Sequence, residues 1–387
     1  MKTIMYGWEL GGGLGHVGRL QAIAEVLASS GYQPVFAIRD LGDASVLLKN
    51  RDWRIYQAPV FMKPARSGLA ASSYADLLMH NGFANAGDLM PQVSAWQTLI
   101  ESTDPSLIIA DHSPTLCLAA RGQVPVISIG TGFTLPPVES DEFPRFRDDV
   151  PPLAPQQHLL NVIQAVQDLR QKPVPGTVTE MMNTEKRLLC SIPELDPYQA
   201  IRQEPGIGPI GVMPEYEPVP LEPSLFVYIN DNYAKIDLLG NCLADLDIPV
   251  HAFITGNTGV LANFLGSQGV KVYEEAPKLA DILPRFSAVI HHGGNFTSHA
   301  ALVAGRPQLI LPRFYEAALN GRILEKLNVA INLEKEVTAD SLSKAVRDVL
   351  FEPEISGQAA NLARTIQQRE PLHGLETAVQ ACRDILV

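Results

Sequence analysis

Residues 289–320 read VIHHGGNFTSHAALVAGRPQLILPRFYEAALN, and no other stretch restricts the chain as much. An apolar run ends at His291 and His292, and Gly293 and Gly294 follow at once. Thr297 and Ser298 then open a helical pattern over 299–304, and a second apolar run at 308–311 stops at Pro312. The order is strand, glycine turn, helix, strand, which belongs to a parallel α/β sheet. Glycine lacks a Cβ and tolerates positive φ, so such a turn lets backbone N–H groups approach an anion closely. The helix start adds unpaired N–H groups and a positive dipole end, and a phosphate or diphosphate fits there. His292 at the strand end adds a ring N–H or a positive charge. Thr297 and Ser298 also suit plain N-caps, a use compatible with phosphate binding. His291 reads as a strand-end structural residue.

The rest of the chain repeats this alternation. Its 387 residues exceed what one core usually fills, so two domains are expected. A first strand at 3–6 runs into Gly11-Gly12-Gly13-Leu14-Gly15-His16 and then a helix closed by Gly31. Further strands are expected at 33–38, 54–58, 107–110, 125–129 and 187–190. The fourth of these six, 107–110, ends in a carboxylate, Asp111, which also suits an N-cap before Ser113. Ligands of open α/β sheets collect at such carboxyl ends. Helices are expected at 91–101 and 158–171. Residues 59–85 read as irregular, and 133–155, proline-rich and acidic, as an extended surface loop. Nine glycines and prolines between 205 and 223 make a semi-rigid connector. In the second half, strands are expected at 225–229, 250–255, 270–273, 288–291 and 308–311, and helices at 341–350 and 374–386. Strands alternating with helices in both halves mean two parallel sheets covered on both faces. A cleft between two such domains is a favoured ligand site.

The motif at 292–320 resembles the donor-sugar signature of the GT-B nucleotide-sugar glycosyltransferases, the superfamily that includes the UDP-glycosyltransferases. Their H-G-G-x-G-T, A-x-x-x-G-x-P and P-x-x-x-D-Q-x-x-N elements stand here as His292 to Thr297, Ala301 to Pro307, and Pro312, Glu316, Ala317 and Asn320. Phe296, Ala300 and Ala317 depart from the pattern. The N-terminal glycine loop resembles the same superfamily, with Gly15-His16 matching its Gly-His pair; Arg19 replaces a proline common three residues on. The resemblance implies a GT-B fold: two Rossmann-like, doubly wound parallel-sheet domains facing across a cleft. It implies an acceptor domain at 1–205 with the helix at 374–387 packing back on it, a linker at 206–223, and a donor domain at 224–373. It implies that His16 is the catalytic base and that Asp111 orients it. Gly13, Gly15 and Asn230 would line the cleft. His292, Gly293, Gly294, Thr297 and Ser298 would bind the donor diphosphate. Glu316 and Asn320 would hold the donor sugar, and the turn at Ala276 and Pro277 the nucleobase, through backbone groups. Asn230 also suits an ordinary turn, Glu316 a solvated first-turn acid, and Asn320 a residue that orients the same loop.

The chemistry of the residues agrees with that assignment. Transfer of a sugar to a hydroxyl needs a base near pH 7, and imidazole has a suitable pKa. No D-x-D or carboxylate cluster suggests a metal, and no nucleophilic carboxylate suggests a covalent intermediate. The expectation is inverting, metal-independent transfer with no cofactor, from a UDP- or dTDP-sugar acting as co-substrate to a small or lipid-like acceptor. A net charge of −12 argues against a general nucleic-acid binder. Cys117, Cys190, Cys242 and Cys382 are scattered, as in a reducing compartment. No apolar run reaches the ~20 residues of a membrane span. A cytoplasmic protein is expected. The rival readings are a non-catalytic nucleotide-sugar-binding accessory protein and a nucleotide-sugar epimerase.

Overall fold

The computed structural model describes residues 2–49, 51–62, 71–256, 259–334 and 337–386. The chain forms two units, Met1–Gly211 with His373–Val387, and Val212–Leu372. The first contains β1 (Thr3–Trp8), α1 (Gly15–Ser29), β2 (Gln33–Ile38), α2 (Leu41–Leu48), β3 (Arg54–Gln57), α3 (Tyr74–Leu78), α4 (Ala86–Thr103), β4 (Leu107–Asp111), α5 (Pro114–Ala120), β5 (Val126–Gly130), α6 (Gln156–Arg170) and β6 (Lys186–Leu189). The second contains β7 (Leu225–Asn230), α7 (Ile236–Ala244), β8 (Val250–Thr255), α8 (Val260–Ser267), β9 (Lys271–Tyr273), α9 (Leu279–Ile282), β10 (Ala288–His291), α10 (Asn295–Val303), β11 (Gln308–Ile310), α11 (Tyr315–Lys326), β12 (Ala330–Asn332), α12 (Ala339–Phe351) and α13 (Pro353–Gln367). The last helix, α14 (Gly374–Leu386), belongs to the first unit.

Each unit has one six-stranded sheet. The first runs β3-β2-β1-β4-β5-β6 and the second, read from its far edge, β9-β8-β7-β10-β11-β12. Both follow the same doubly wound order, and every pairing is parallel. The central strands are buried on both faces: Ile4 to Trp8 in β1 and all of β4 are sealed from solvent. That explains their unbroken apolar sequence, since a strand covered by helices on both sides has no polar face to alternate with. Each buried Leu or Ile contributes roughly 1.5–3 kcal/mol. Ala378, Val379, Cys382 and Leu386 of α14 pack into the core of the first unit beside Leu20 and Leu27 of α1.

Several elements differ from their sequence reading. Residues 74–78 form α3, and a wide turn at Met79–Phe83 follows that is broken at Asn81 and Gly82; positions 63–70 of the expected irregular segment lie outside the described residues. Helix α4 starts before Pro91, because Asn85 caps it by accepting from the Asp88 backbone N–H at 2.9 Å. The loop at 133–155 has no regular element but is not all surface, since Phe133, Leu135 and Phe143 are buried. Residues 206–211 belong to the first unit rather than to a free connector: Gly206 bridges to Leu189, and Ile210 joins the core. Helix α10 begins at Asn295, so Thr297 and Ser298 lie inside its first turns and are not its caps. The short β12 and the polar α13 have no counterpart in the sequence reading.

Candidate functional site

In a doubly wound sheet the chain leaves the carboxyl ends of the two central strands in opposite directions, which opens a crevice there. The central pairs are β1/β4 and β7/β10, and the candidate residues stand at both switch points. His16 follows β1 and Asp111 ends β4, in register with Trp8. His292 follows β10, and Asn230 ends β7.

At the first point, His16 Nδ1 lies 2.8 Å from Asp111 Oδ1. Arg19 Nε donates to Asp111 Oδ2 at 2.8 Å, and its Nη2 to Oδ1 at 3.1 Å. Burial pushes the Asp111 carboxyl up, but the Arg19 charge and then His16 outweigh it and hold it at about 2. An ionised Asp111 only accepts, so His16 Nδ1 carries the ring proton and Nε2 presents the basic lone pair. Among the described residues Nε2 has no hydrogen-bond partner. Trp8 stacks on the His16 ring at 5.2 Å between centroids and fixes its plane. Asp111 is thus bonded to His16 and Arg19 and does not cap α5. That helix start is closed by Glu9, whose carboxylate accepts from the Thr115 and Leu116 backbone N–H groups at 3.1 and 3.3 Å. Burial pushes Glu9 up to about 7 against these bonds. Sequence reading missed both Arg19, seen only as a departure from a motif, and Glu9, whose signal is an acid at the end of a buried strand. In the glycine loop, Gly13 is exposed at φ +90° and Gly15 opens α1; a Cβ at either would meet no atom within 4 Å.

The second point corrects the reading of His292. Asn230 N–H donates to its Nε2 at 2.9 Å, and its Nδ1 donates to the Leu311 carbonyl at 2.8 Å. Both nitrogens are committed to the chain, so the ring offers no N–H to a ligand. It is also neutral: burial, and after it the Arg313 charge, lower it to about 4. His292 ties the end of β7 to the segment after β11. His291 is structural too, accepting from Gly293 N–H at Nδ1 (3.0 Å) and bonding Gln308 through Nε2 (2.9 Å). Gly293 has φ +77°, and a Cβ there would sit 2.7 Å from the Ala317 carbonyl oxygen and 2.9 Å from Ile310. Asn320 Nδ2 donates to the Gly293 carbonyl at 3.0 Å, so Asn320 orients the loop. Ser298 N–H is bonded to Gly294, and its buried hydroxyl has no partner among the described residues. The N–H groups of Gly294, Asn295, Phe296 and Thr297 remain without partners among the described residues. Phe296 packs against the core cluster of Phe226 and Val289, and Ala300 lies within that cluster. Arg313, exposed three residues beyond β11, is the cation whose charge reaches both His292 and Asp231.

The remaining candidates are placed less closely. Asn230 also donates from Nδ2 to Thr255 Oγ1 at 3.1 Å and accepts from Asn232 N–H at 3.1 Å, as an ordinary turn residue does. Glu316 is partly buried in the first turn of α11. Ala276 is exposed and Pro277 partly buried in the turn after β9, the edge strand. Because the sheet is parallel, this turn lies at the same sheet end as His292. Among the described residues no group of three His, Cys, Asp or Glu clusters as a metal would require. Nor, among the described residues, is any helix long and apolar enough to cross a membrane.

The buried histidines set the acid limit of the fold. His112, at about 3, and His291 and His292, at about 4, are lowered chiefly by burial from an ordinary 6.5. A depressed histidine is protonated more readily when unfolded, so stability falls as pH drops below about 6.5 and stops falling below the folded pKa. At pH 5 each costs roughly 2 kcal/mol, against a typical total of about 5–15 kcal/mol. Urea titrations should show a net decline in stability from pH 6.5 to 5, because Glu9, raised to about 7, gains stability as pH falls and offsets only about one of the three histidines. A flat profile over that range would contradict the neutral, buried state of these rings.

Residues 242–372 match the family model described as erythromycin biosynthesis protein CIII-like, C-terminal domain. Aclacinomycin-T 2-deoxy-L-fucose transferase of Streptomyces galilaeus is 33% identical over 139 residues, 35% of this chain and 31% of that protein. The match therefore spans about a third of that relative's length. Among solved structures, the calicheamicin glycosyltransferase CalG4 aligns with a TM-score of 0.72 at 17% identity, over 100% of this chain and 98% of that one. The glycosyltransferase VinC in complex with dTDP aligns with a TM-score of 0.63 at 16% identity, over 99% of both chains. The fold is that of the GT-B glycosyltransferases, and the second unit is similar in sequence to part of such transferases from Streptomyces.

Proposed function

We propose, from this GT-B fold and the likeness of the second unit to sugar transferases, that the chain moves a sugar from a nucleoside-diphosphate donor to an acceptor hydroxyl. The observation that carries the reading is the meeting of His16 and Asp111, 95 residues apart, at 2.8 Å on a switch point. A protein that only bound nucleotide sugars would have no use for a base oriented and polarised in this way. His16 Nε2 takes the acceptor proton, and Asp111 stabilises the imidazolium that forms. The acceptor oxygen attacks the anomeric carbon from the side opposite the diphosphate, a single displacement that inverts the configuration. The diphosphate rests on the free N–H groups of Gly294 to Thr297, and Arg313 supplies the positive charge that His292 does not. On this reading no metal is needed. VinC, a neighbour in fold, was solved with dTDP, which favours a dTDP or UDP donor. The acceptor is small or lipid-like, and the four free thiols suit the cytoplasm.

The donor half is tested by melting the protein with UDP, dTDP and GDP in excess EDTA. Saturation near one hundred times Kd adds about 2.7 kcal/mol of stability. One diphosphate should raise Tm by several degrees, its monophosphate should do less, and Arg313→Gln should weaken the diphosphate about tenfold. No shift with any of the three diphosphates would contradict the donor site, and a shift that EDTA abolishes would contradict metal independence.

A further inference from the structure

Arg19 stands on α1 with His16, and the two side chains meet one carboxylate. His16 Nδ1 and Arg19 Nη2 both donate to the same oxygen, Asp111 Oδ1, at 2.8 and 3.1 Å, while Arg19 Nε holds Oδ2 at 2.8 Å. The fork fixes the plane of the carboxylate that orients the base. Asp111 is sealed from solvent and the Arg19 side chain is 11% exposed, so water screens this pair poorly. The two donors can stand no farther apart than their two bonds laid end to end, about 6 Å. A proton taken up at His16 Nε2 therefore creates a cation close beside a fixed cation. The other titratable groups around them are His112, kept neutral chiefly by burial, with its ring 6.0 Å from that of His16, and Cys190, pushed up by burial to about 11. Arg39, just beyond β2, adds its charge on His112, and Glu9 turns away to the start of α5.

We infer that Arg19 is a positioning residue that divides the charge of Asp111 with His16 and so keeps the base free of a second proton down to lower pH. This rests on the transferase reading above, in which His16 must be neutral when the acceptor arrives. Arg19 touches neither the substrate nor the reacting atoms and acts through Asp111. With Asp111 alone as neighbour, the imidazolium would be favoured without opposition, and more of the protein would hold a protonated, idle base near neutral pH. Arg19 offsets part of that pull before the reaction. The part that remains still favours the proton once the acceptor hydroxyl gives it up.

The test follows the His16 ring ¹⁵N signals against pH in the full chain, as wild type, Arg19→Met, Arg19→Gln and Arg19→Lys. Methionine keeps an apolar stem, glutamine keeps a donor without the charge, and lysine keeps the charge without the fork. The His16 midpoint should rise by about one pH unit in Arg19→Met and Arg19→Gln, a tenfold change in the protonation equilibrium. In Arg19→Lys it should stay within about 0.3 of a unit of the wild type. Glutamine carries the comparison if the methionine variant does not fold. An unchanged midpoint in the neutral variants, an equal rise in Arg19→Lys, or loss of the fold in both neutral variants would overturn the inference, since a merely structural Arg19 changes stability and leaves the titration alone. The acid limb of sugar transfer from UDP-glucose or dTDP-glucose, measured on the same samples, should follow the midpoint; a limb that stays in place would also overturn it. Midpoints that move as expected in a wild type and variants that transfer nothing would count against the transferase reading and not against the charge effect.

Discussion

Gly293→Ala should abolish donor binding. The φ of +77° costs an alanine about 1 kcal/mol. The added methyl would press on the Ala317 backbone oxygen at 2.7 Å, which belongs to a buried helix turn and cannot swing aside as a side-chain end would. Overpacking of this kind typically costs about 1–3 kcal/mol. The loop must therefore shift away from α11, breaking the Asn320 bond to the Gly293 carbonyl and re-aiming the N–H groups that follow. A loss of roughly 2–4 kcal/mol in stability is expected, with diphosphate affinity down at least about a hundredfold. Gly294→Ala is the control: a Cβ there would meet nothing within 4 Å, so stability should hold. Calorimetry with UDP and dTDP on both variants checks this, and full retention of binding in Gly293→Ala would place the donor elsewhere.

Asp111→Asn should leave the shape of the site and remove its chemistry. The neutral amide no longer stabilises a protonated His16, and an NH2 facing Nδ1 favours the wrong ring tautomer. Comparable changes in hydrolase triads cost about 10⁴ in kcat, and a fall of roughly 10³ or more is expected. Arg19, whose side chain is only 11% exposed, keeps a hydrogen-bond acceptor in the amide oxygen at position 111 but no longer a charged one. Weakening hydrogen bonds to a charged group in this way costs about 1.5–3 kcal/mol of stability. Urea melts and single-turnover transfer measure the two effects separately. An Asp111→Asn protein with near-normal transfer would show that the carboxylate serves Arg19 and the fold, not the base.

What the sequence revealed, and what it hid, follows from the range of the interactions concerned. The strands at 225–229, 288–291 and 308–311 could be read because buried parallel strands are largely apolar, and their burial agrees; β8 is buried only at Val250 and Ala252 and was read from its apolar residues. The glycine turn was equally plain, since its conformation is written in local residues. The role of His292 was misread because a histidine before two glycines looks the same whether its ring faces a ligand or the chain. Its partners lie 62 and 19 residues away, and only the fold brings them to it. Arg19 shows the reverse case: locally it breaks a motif, and its meaning depends on a carboxylate 92 residues further on. Helix α13 escaped because its buried stripe is narrow, with only Ala359 and Ala363 fully covered.

The most direct test of the account is the anomeric ¹H NMR spectrum of the product formed from UDP-α-glucose or dTDP-α-glucose and an acceptor hydroxyl, recorded in EDTA with wild-type protein and His16→Ala. The account predicts a β-linked product from the wild type, with a large axial–axial coupling between H1 and H2, and none at a comparable rate from the variant. An α-linked product, or transfer undiminished without His16, would contradict a single displacement driven by that base.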